Sequence, residues 1–196
     1  MYDFPVFGSI SGTCCFKRVF CNVSPNYDVV FIGDSITEGS QLAIEDVWAN
    51  KVINSDYVKS GLNCGRGGGN IDHVLRCLTD IVSTISVKMI VVTIGTNGGN
   101  TQAKLKRIKE LTDNIGANLV LNCIPMLSSG YPSTNDTILG IDAIHCRFDV
   151  ATAVNNDVNN GQNTSLFFSD RTHPNINGGL ALYNNFMANI GSVISI

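Results

Sequence analysis

From Tyr27 onward the chain alternates short β-branched runs with amphipathic stretches, the pattern of repeated βα units built around a parallel sheet. Five runs read as strands, at 29–32, 57–61, 89–94, 119–124 and 165–168. Each is short and apolar, as strands covered on both faces are. Helices are expected near 42–54, 70–84, 102–115, 137–154 and 177–190, where apolar residues recur three or four apart. In the third of these, Leu105, Ile108, Leu111 and Ile115 form the inward stripe, while Lys104, Lys106, Arg107 and Lys109 form a solvated face. No repeat or linker interrupts 27–196, which reads as one α/β domain with a mainly parallel five-stranded sheet.

Residues 1–26 do not follow the alternation. The Ser11-Gly12 pair between two aromatic-containing runs predicts a hairpin or an arm packed on the domain. Such an arm serves either self-association or attachment to a larger assembly, or it simply covers an apolar edge. A chain of 196 residues with 44% apolar side chains forms one core that buries roughly 70% of the unfolded surface. Charged residues make up 15% and the net charge is -3, so no basic field is available for nucleic acid. The longest aliphatic stretch, 89–92, is far below the roughly 20 residues that span a bilayer. A soluble protein without membrane insertion is expected. No signal peptide is expected either, because the first 13 residues lack Lys and Arg and are interrupted by Pro5, Gly8 and Ser9. The sequence assigns no compartment.

Seven cysteines, an odd set without a C-x-x-C pair, argue against a zinc site and leave at least one thiol unpaired. Most read as buried reduced thiols, and Cys14, Cys15 and Cys21 are close enough for one local disulfide. Three N-x-S/T sequons begin at Asn22, Asn135 and Asn163 and matter only in a glycosylating compartment.

In open parallel sheets reactive groups gather beyond the carboxyl ends of the strands. After the first strand comes Gly33-Asp34-Ser35-Ile36-Thr37, which sets a serine in a tight strand-to-helix turn. After the second comes Asn63-Cys64-Gly65-Arg66-Gly67-Gly68-Gly69-Asn70, a turn that lets a substrate approach the backbone. The third is followed by Gly95-Thr96-Asn97-Gly98-Gly99-Asn100, rich in side-chain amides, and the fifth by Asp170-Arg171-Thr172-His173-Pro174. Alone, each block is equally a cap, a turn or a local hydrogen bond. Together they supply a nucleophile, anion donors, a base and its orienting group, the parts that acyl transfer requires.

In that order, over about residues 28–190, the blocks resemble the GDSL-type esterases of the SGNH hydrolase superfamily. The resemblance implies a three-layer α/β/α, flavodoxin-like fold and a serine esterase without cofactor or metal. It implies Ser35 as nucleophile, His173 as general base and Asp170 as the group orienting His173. It also implies an oxyanion hole from the Ser35 N–H, the Gly68 N–H and the Asn97 side chain. Gly68 is taken rather than Gly65 because the family glycine lies five residues after the asparagine of its block, here Asn63. Where the family usually has aspartate after the third-block asparagine, this chain has Gly98.

The chemistry follows from the groups themselves. A serine hydroxyl is a weak nucleophile until a neutral imidazole removes its proton, and the resulting imidazolium can protonate a leaving alkoxide. Activity is therefore expected to fall at acid pH, where an ordinary imidazole, titrating near 6.5, gains its proton. Polar, Asn-rich loops near the last block and the lack of a long apolar lid favour a short acyl group on a carbohydrate, making the activity that of a carbohydrate O-acetylesterase. The substrate is then an acylated small molecule or polysaccharide. Alternatives are a lipase or thioesterase, and a binding module that recognises acylated sugar without turnover. A second Asp-x-x-His, Asp142 and His145, reads as a structural i, i+3 pair in a helix, and His73 as a partly exposed helix residue. Gly65 to Asn70 does not complete a dinucleotide or P-loop motif, and Thr37 breaks the Gly-x-Ser-x-Gly pattern of ordinary α/β-hydrolases.

Overall fold

The computed structural model describes residues 26–194. The arm expected at 1–26, and the disulfide expected among Cys14, Cys15 and Cys21, thus lie essentially outside the described residues. Four strands, β1 (Asn26–Gly33), β2 (Gly61–Gly65), β3 (Ser86–Thr93) and β4 (Asn118–Asn122), pair in the order β2-β1-β3-β4. Every pairing is parallel, with Val30 opposite both Leu62 and Ile90, and Val91 opposite Val120. Helices α1 (Ser35–Glu38), α2 (Trp48–Ile53), α3 (Ile71–Thr84), α4 (Gln102–Asp113), α5 (Thr134–Leu139), α6 (Phe148–Ala151) and α7 (Ile176–Ile194) complete the order.

Alternating side chains of the central strands feed two separate cores, because successive residues of a strand point to opposite faces. Val30, Ile32, Ile90 and Val92 pack with Ile71, Val74, Leu78 and Ile81 of α3 and Leu105 and Ile108 of α4. On the other face Val29, Phe31, Met89 and Val91 meet Trp48 and Val52 of α2, Phe148 of α6, and Leu182, Phe186 and Ile190 of α7. This is a three-layer α/β/α arrangement. The connection from β1 leads to β2 on one side, and that from β2 returns past β1 to β3 on the other, so the chain order reverses between β1 and β3, and the crevice of such a sheet opens at their carboxyl ends.

Four elements differ from the sequence expectation. The second strand begins at Gly61 rather than 57, because the Asp28 carboxylate accepts the Lys59 and Ser60 N–H groups (2.9 and 3.2 Å) and Ser60 Oγ donates to the Asn26 carbonyl (3.2 Å). Those side chain–backbone bonds turn the chain before pairing begins. The segment 165–168 is not a strand: Thr164–Leu166 forms a 3-10 turn, with Asn175 Nδ2 donating to the Ser165 and Phe167 carbonyls at 2.9 and 3.1 Å. The edge of the sheet is covered instead by 144–146, where the Leu121 and Cys123 N–H groups donate to the Ile144 and Cys146 carbonyls (2.8 and 2.9 Å). Pairing with β4 satisfies edge groups that would otherwise be left open, and it overrides the helical periodicity of 137–154, which breaks into α5 and α6.

His145 therefore stands on no helix with Asp142; its ring nitrogens each lie 3.0 Å from a carbonyl, those of Leu121 and Ile141. The region expected at 42–54 likewise divides into a 3-10 turn, Ile44–Asp46, and α2. His73 is buried rather than partly exposed, with Nε2 3.4 Å from Cys77 Sγ. Burial, then Arg66 and Arg76, lowers its pKa from the ordinary imidazole value. Cys123 and Cys146 are buried free thiols, whereas Cys77 is disulfide-bonded. Among the described residues no helix is long and apolar enough to cross a membrane, and no group of three or more His, Cys, Asp or Glu residues is arranged to hold a metal ion.

Candidate active site

β1 ends at Gly33, where the chain turns directly into α1. Close packing forces glycine here, since a Cβ would collide with the Thr37 hydroxyl and the Thr93 carbonyl of the neighbouring strand. Asp34 is the N-cap of α1, and its Oδ1 accepts the Ile36 N–H at 2.9 Å. Its side chain is fully buried, which pushes its pKa up to about 6, against the opposing influence of the Ile36 N–H and of Thr96. Ser35 follows at the first helical position and is itself 7% exposed. The turn is clamped from two sides. Trp48 Nε1 donates to the Ile36 carbonyl (3.0 Å), and Asn63 Nδ2 donates to the Thr37 carbonyl (2.9 Å) and to Asn50 Oδ1 (2.9 Å).

The last block is a compact loop. The Phe168 N–H donates to the His173 carbonyl (2.9 Å), Arg171 adopts a left-handed φ of 57°, and Gln162 Nε2 donates to the Arg171 carbonyl (2.8 Å). Within it Asp170 Oδ1 accepts the N–H groups of Thr172 (2.9 Å) and His173 (3.0 Å), while Oδ2 lies 2.7 Å from His173 Nδ1. The His173 backbone N–H, followed by the His173 ring, Thr172 and Gln41, holds the Asp170 pKa well below the usual carboxylate range despite some burial. An ionised carboxylate only accepts, so Nδ1 carries the ring proton and Nε2 offers a lone pair. That Nε2 lies 3.0 Å from Ser35 Oγ.

The structure thus brings Ser35, His173 and Asp170 into one hydrogen-bonded line from loops 138 and 3 residues apart. The three groups expected to bind an oxyanion lie on the segments beyond the same strand ends. Among the described residues the Ser35 and Gly68 N–H groups donate to no intramolecular acceptor, and Gly68 is exposed at a left-handed φ of 69°. Asn97 Nδ2 donates one hydrogen to the Gly69 carbonyl at 2.9 Å, leaving its second free. The residue after it, Gly98, has φ +73° and donates its N–H to the Gly95 carbonyl (3.0 Å), a backbone conformation that disfavours a side chain. Asn100, whose Nδ2 donates to the Ile94 carbonyl (2.8 Å), ties the other end of this loop. An aspartate at 98 is not needed to close the turn.

A cleft of about 340 Å³ has Leu42, Ala43, Phe168 and Ile176 as apolar lining and Gln41, Asp46, Asn175 and Asn177 as polar lining; Ser35, His173 and Asp170 do not line it, and Gln41 joins it to them through its bond to Asp170. The sequence reading did not single out Gln41, Trp48 or the bonds of Asn63. Only Trp48, as the one tryptophan of the chain, carried any signal.

No family model and no curated protein matches the sequence. Solved structures do. A member of the lipolytic G-D-S-L family from Veillonella parvula superposes with a TM-score of 0.62, at 15% identity over 82% of this chain and 96% of its own. The acetylxylan esterase Axe2 from Geobacillus stearothermophilus gives 0.64, at 18% identity over 84% and 94%. This chain shares the fold of these two structures. The esterase EstA from Pseudoalteromonas sp. extends the agreement, with a TM-score of 0.66 at 16% identity over 87% of this chain and all (100%) of that one. That shared fold accounts for the four-stranded parallel sheet and its flanking helices, and leaves chemistry to be argued from the site.

Proposed function

We propose that the protein is a carboxylic ester hydrolase of GDSL type, acting through Ser35, His173 and Asp170. The observation that carries this reading is the 3.0 Å separation of Ser35 Oγ and His173 Nε2, with Asp170 2.7 Å behind the ring. Ser35 Oγ attacks the ester carbonyl carbon as its proton passes to His173 Nε2, and the carbonyl π pair moves to oxygen. The Ser35 and Gly68 N–H groups and the Asn97 amide receive that oxyanion. Its collapse breaks the bond to the alcohol oxygen, which takes the proton from His173 and departs. Water, deprotonated by the same ring, then attacks the acyl-serine, and Ser35 regains its proton as the acid leaves. No cofactor or metal enters these steps.

The finer proposal is a carbohydrate O-acetylesterase. The cleft that Gln41 joins to Asp170 offers side-chain amides and a carboxylate beside apolar side chains. Such a mixture suits a sugar, with hydroxyls at its rim and C–H groups on its faces. One similar structure is an acetylxylan esterase. A second reading, a lipase or thioesterase, is favoured by the exposure of Ile44, Ile176 and Leu180 (77%, 56% and 45%), of which Ile176 lines the cleft. Release of acetate from a panel of acetylated polysaccharides, set beside hydrolysis of acetyl and long-chain nitrophenyl esters, separates the two. Preference for acetyl groups on sugar supports the first, and preference for long chains replaces it with the second.

A further inference from the structure

Gln41 stands outside every motif block, yet its side chain reaches across 129 residues of sequence to the reacting line. Its Nε2 donates to Asp170 Oδ2 at 2.7 Å and lies 3.4 Å from His173 Nδ1. Asp170 Oδ1 is already occupied by two backbone N–H groups and Oδ2 by the His173 ring. Gln41 therefore supplies the fourth donor to a carboxylate with about four acceptor positions. Saturated in this way, the carboxylate cannot swing about its Cβ–Cγ bond without losing a hydrogen bond. The amide orientation is fixed by the same logic, since turning it over would set Oε1 against an anionic oxygen.

The backbone gives an independent sign. Gln41 has φ +71°, a left-handed conformation that a residue with a side chain adopts at a cost. Glycine would relieve that cost, as it does two residues earlier, where Gly39 caps α1 at φ +81°. A strained glutamine on an exposed turn, bonded to the group behind the base, points to a role the turn alone does not require.

We propose that Gln41 is a positioning residue that locks the Asp170 carboxylate and thereby the plane and tautomer of His173, forming a Gln41–Asp170–His173–Ser35 relay. The proposal rests on the esterase reading for its kinetic consequence, although the geometry stands without it. The charged groups that face His173 are Asp170, in its own loop, and Asp34, at the start of α1. The Gln41 N–H draws electron density from Asp170. Without it, Asp170 is free to turn and no longer fixes the plane of the His173 ring.

The test compares wild type with Gln41→Gly, Gln41→Ala and Gln41→Glu, following ester hydrolysis against pH, thermal melting, and titration of the His173 ring by NMR. Gln41→Gly relieves the backbone while deleting the amide, so it is expected to melt at or above wild type. Its kcat is expected to fall about 3- to 30-fold, as loss of a hydrogen bond to a charged group allows, with KM nearly unchanged. The acid limb of the pH profile and the ring titration are each expected to differ from wild type, and more so in Gln41→Glu, where a second negative charge is added. Gln41→Ala should share the kinetic defect but melt lower than Gln41→Gly. If Gln41 only shapes the turn, Gln41→Gly keeps the wild-type rate and an unmoved titration, and the proposal fails. An inactive wild-type protein would instead remove the esterase reading, while the ring titration of Gln41→Gly against wild type would still decide the role of Gln41.

Discussion

Asn97 Nδ2 donates to the Gly69 carbonyl at 2.9 Å, so the loop after β3 is tied to the loop after β2 through the side chain expected to bind an oxyanion. One amide hydrogen orients the group, and the other has no acceptor among the described residues. An amide fixed in advance needs no reorganisation as charge develops on the carbonyl oxygen, which is why it favours the transition state over the ground state. Asn97→Ala is expected to lower kcat by about 10² to 10³ and to change KM far less. Steady-state kinetics on an acetyl ester reads both. A rise in KM at constant kcat would place Asn97 in substrate binding alone.

The tautomer of His173 depends on Asp170 being an acceptor on both oxygens. Asp170→Asn replaces one oxygen by a donor that faces either the His173 ring or the backbone N–H groups, and a ring turned to accept at Nδ1 has no lone pair left for Ser35. Turnover is expected to fall by about 10³ to 10⁴, the scale of the same change in known serine hydrolases. The readout is kcat at pH 8, with circular dichroism confirming the fold.

Asp34 is buried and its pKa is raised to about 6 by desolvation, above the ordinary 3.8. The folded chain therefore holds a proton that the unfolded chain has released, between about pH 4 and pH 6. This contribution is fully present below the unfolded value and is lost as pH rises through the folded one. At about 1.4 kcal/mol per pH unit, the loss amounts to about 3 kcal/mol across that window. Asp34→Asn keeps an acceptor for the Ile36 N–H without the charge. Relative to wild type, its stability should rise progressively from pH 4 to pH 7, as followed by urea melts. A constant difference over that range would contradict the assignment.

Trp48 joins the nucleophile turn to the core. Its indole N–H bonds the Ile36 carbonyl, while its ring meets Phe31 and Phe148 edge-on, at centroid distances of 5.2 and 4.9 Å. Trp48→Ala should cost roughly 3–5 kcal/mol. Trp48→Phe, which retains aromatic packing but not the donor, should cost less, about 1–2 kcal/mol. Denaturant unfolding at pH 7 measures both.

Much of this architecture was legible in the chain. The β1, β3, α3, α4 and α7 elements declare themselves because their neighbours in space are helices or strands on both sides, and burial writes a clear period into the residues. Ser35, Asp170 and His173 stand out because each lies in a block beyond an expected strand end. The 144–146 edge did not, since pairing with β4 there is a tertiary contact that competes with an equally good helical period in the same residues. The 165–168 run misled for the opposite reason: its apolar side chains suit a strand, but Asn175 takes its carbonyls. Gln41 was invisible because its partner is 129 residues distant and its own neighbourhood forms no motif.

The most direct test is covalent labelling. The account predicts that a fluorophosphonate adds once per chain, seen as a single mass increment on the intact protein, and that Ser35→Ala abolishes the increment while remaining folded. An unlabelled wild-type protein, or a label that persists in Ser35→Ala, would contradict it.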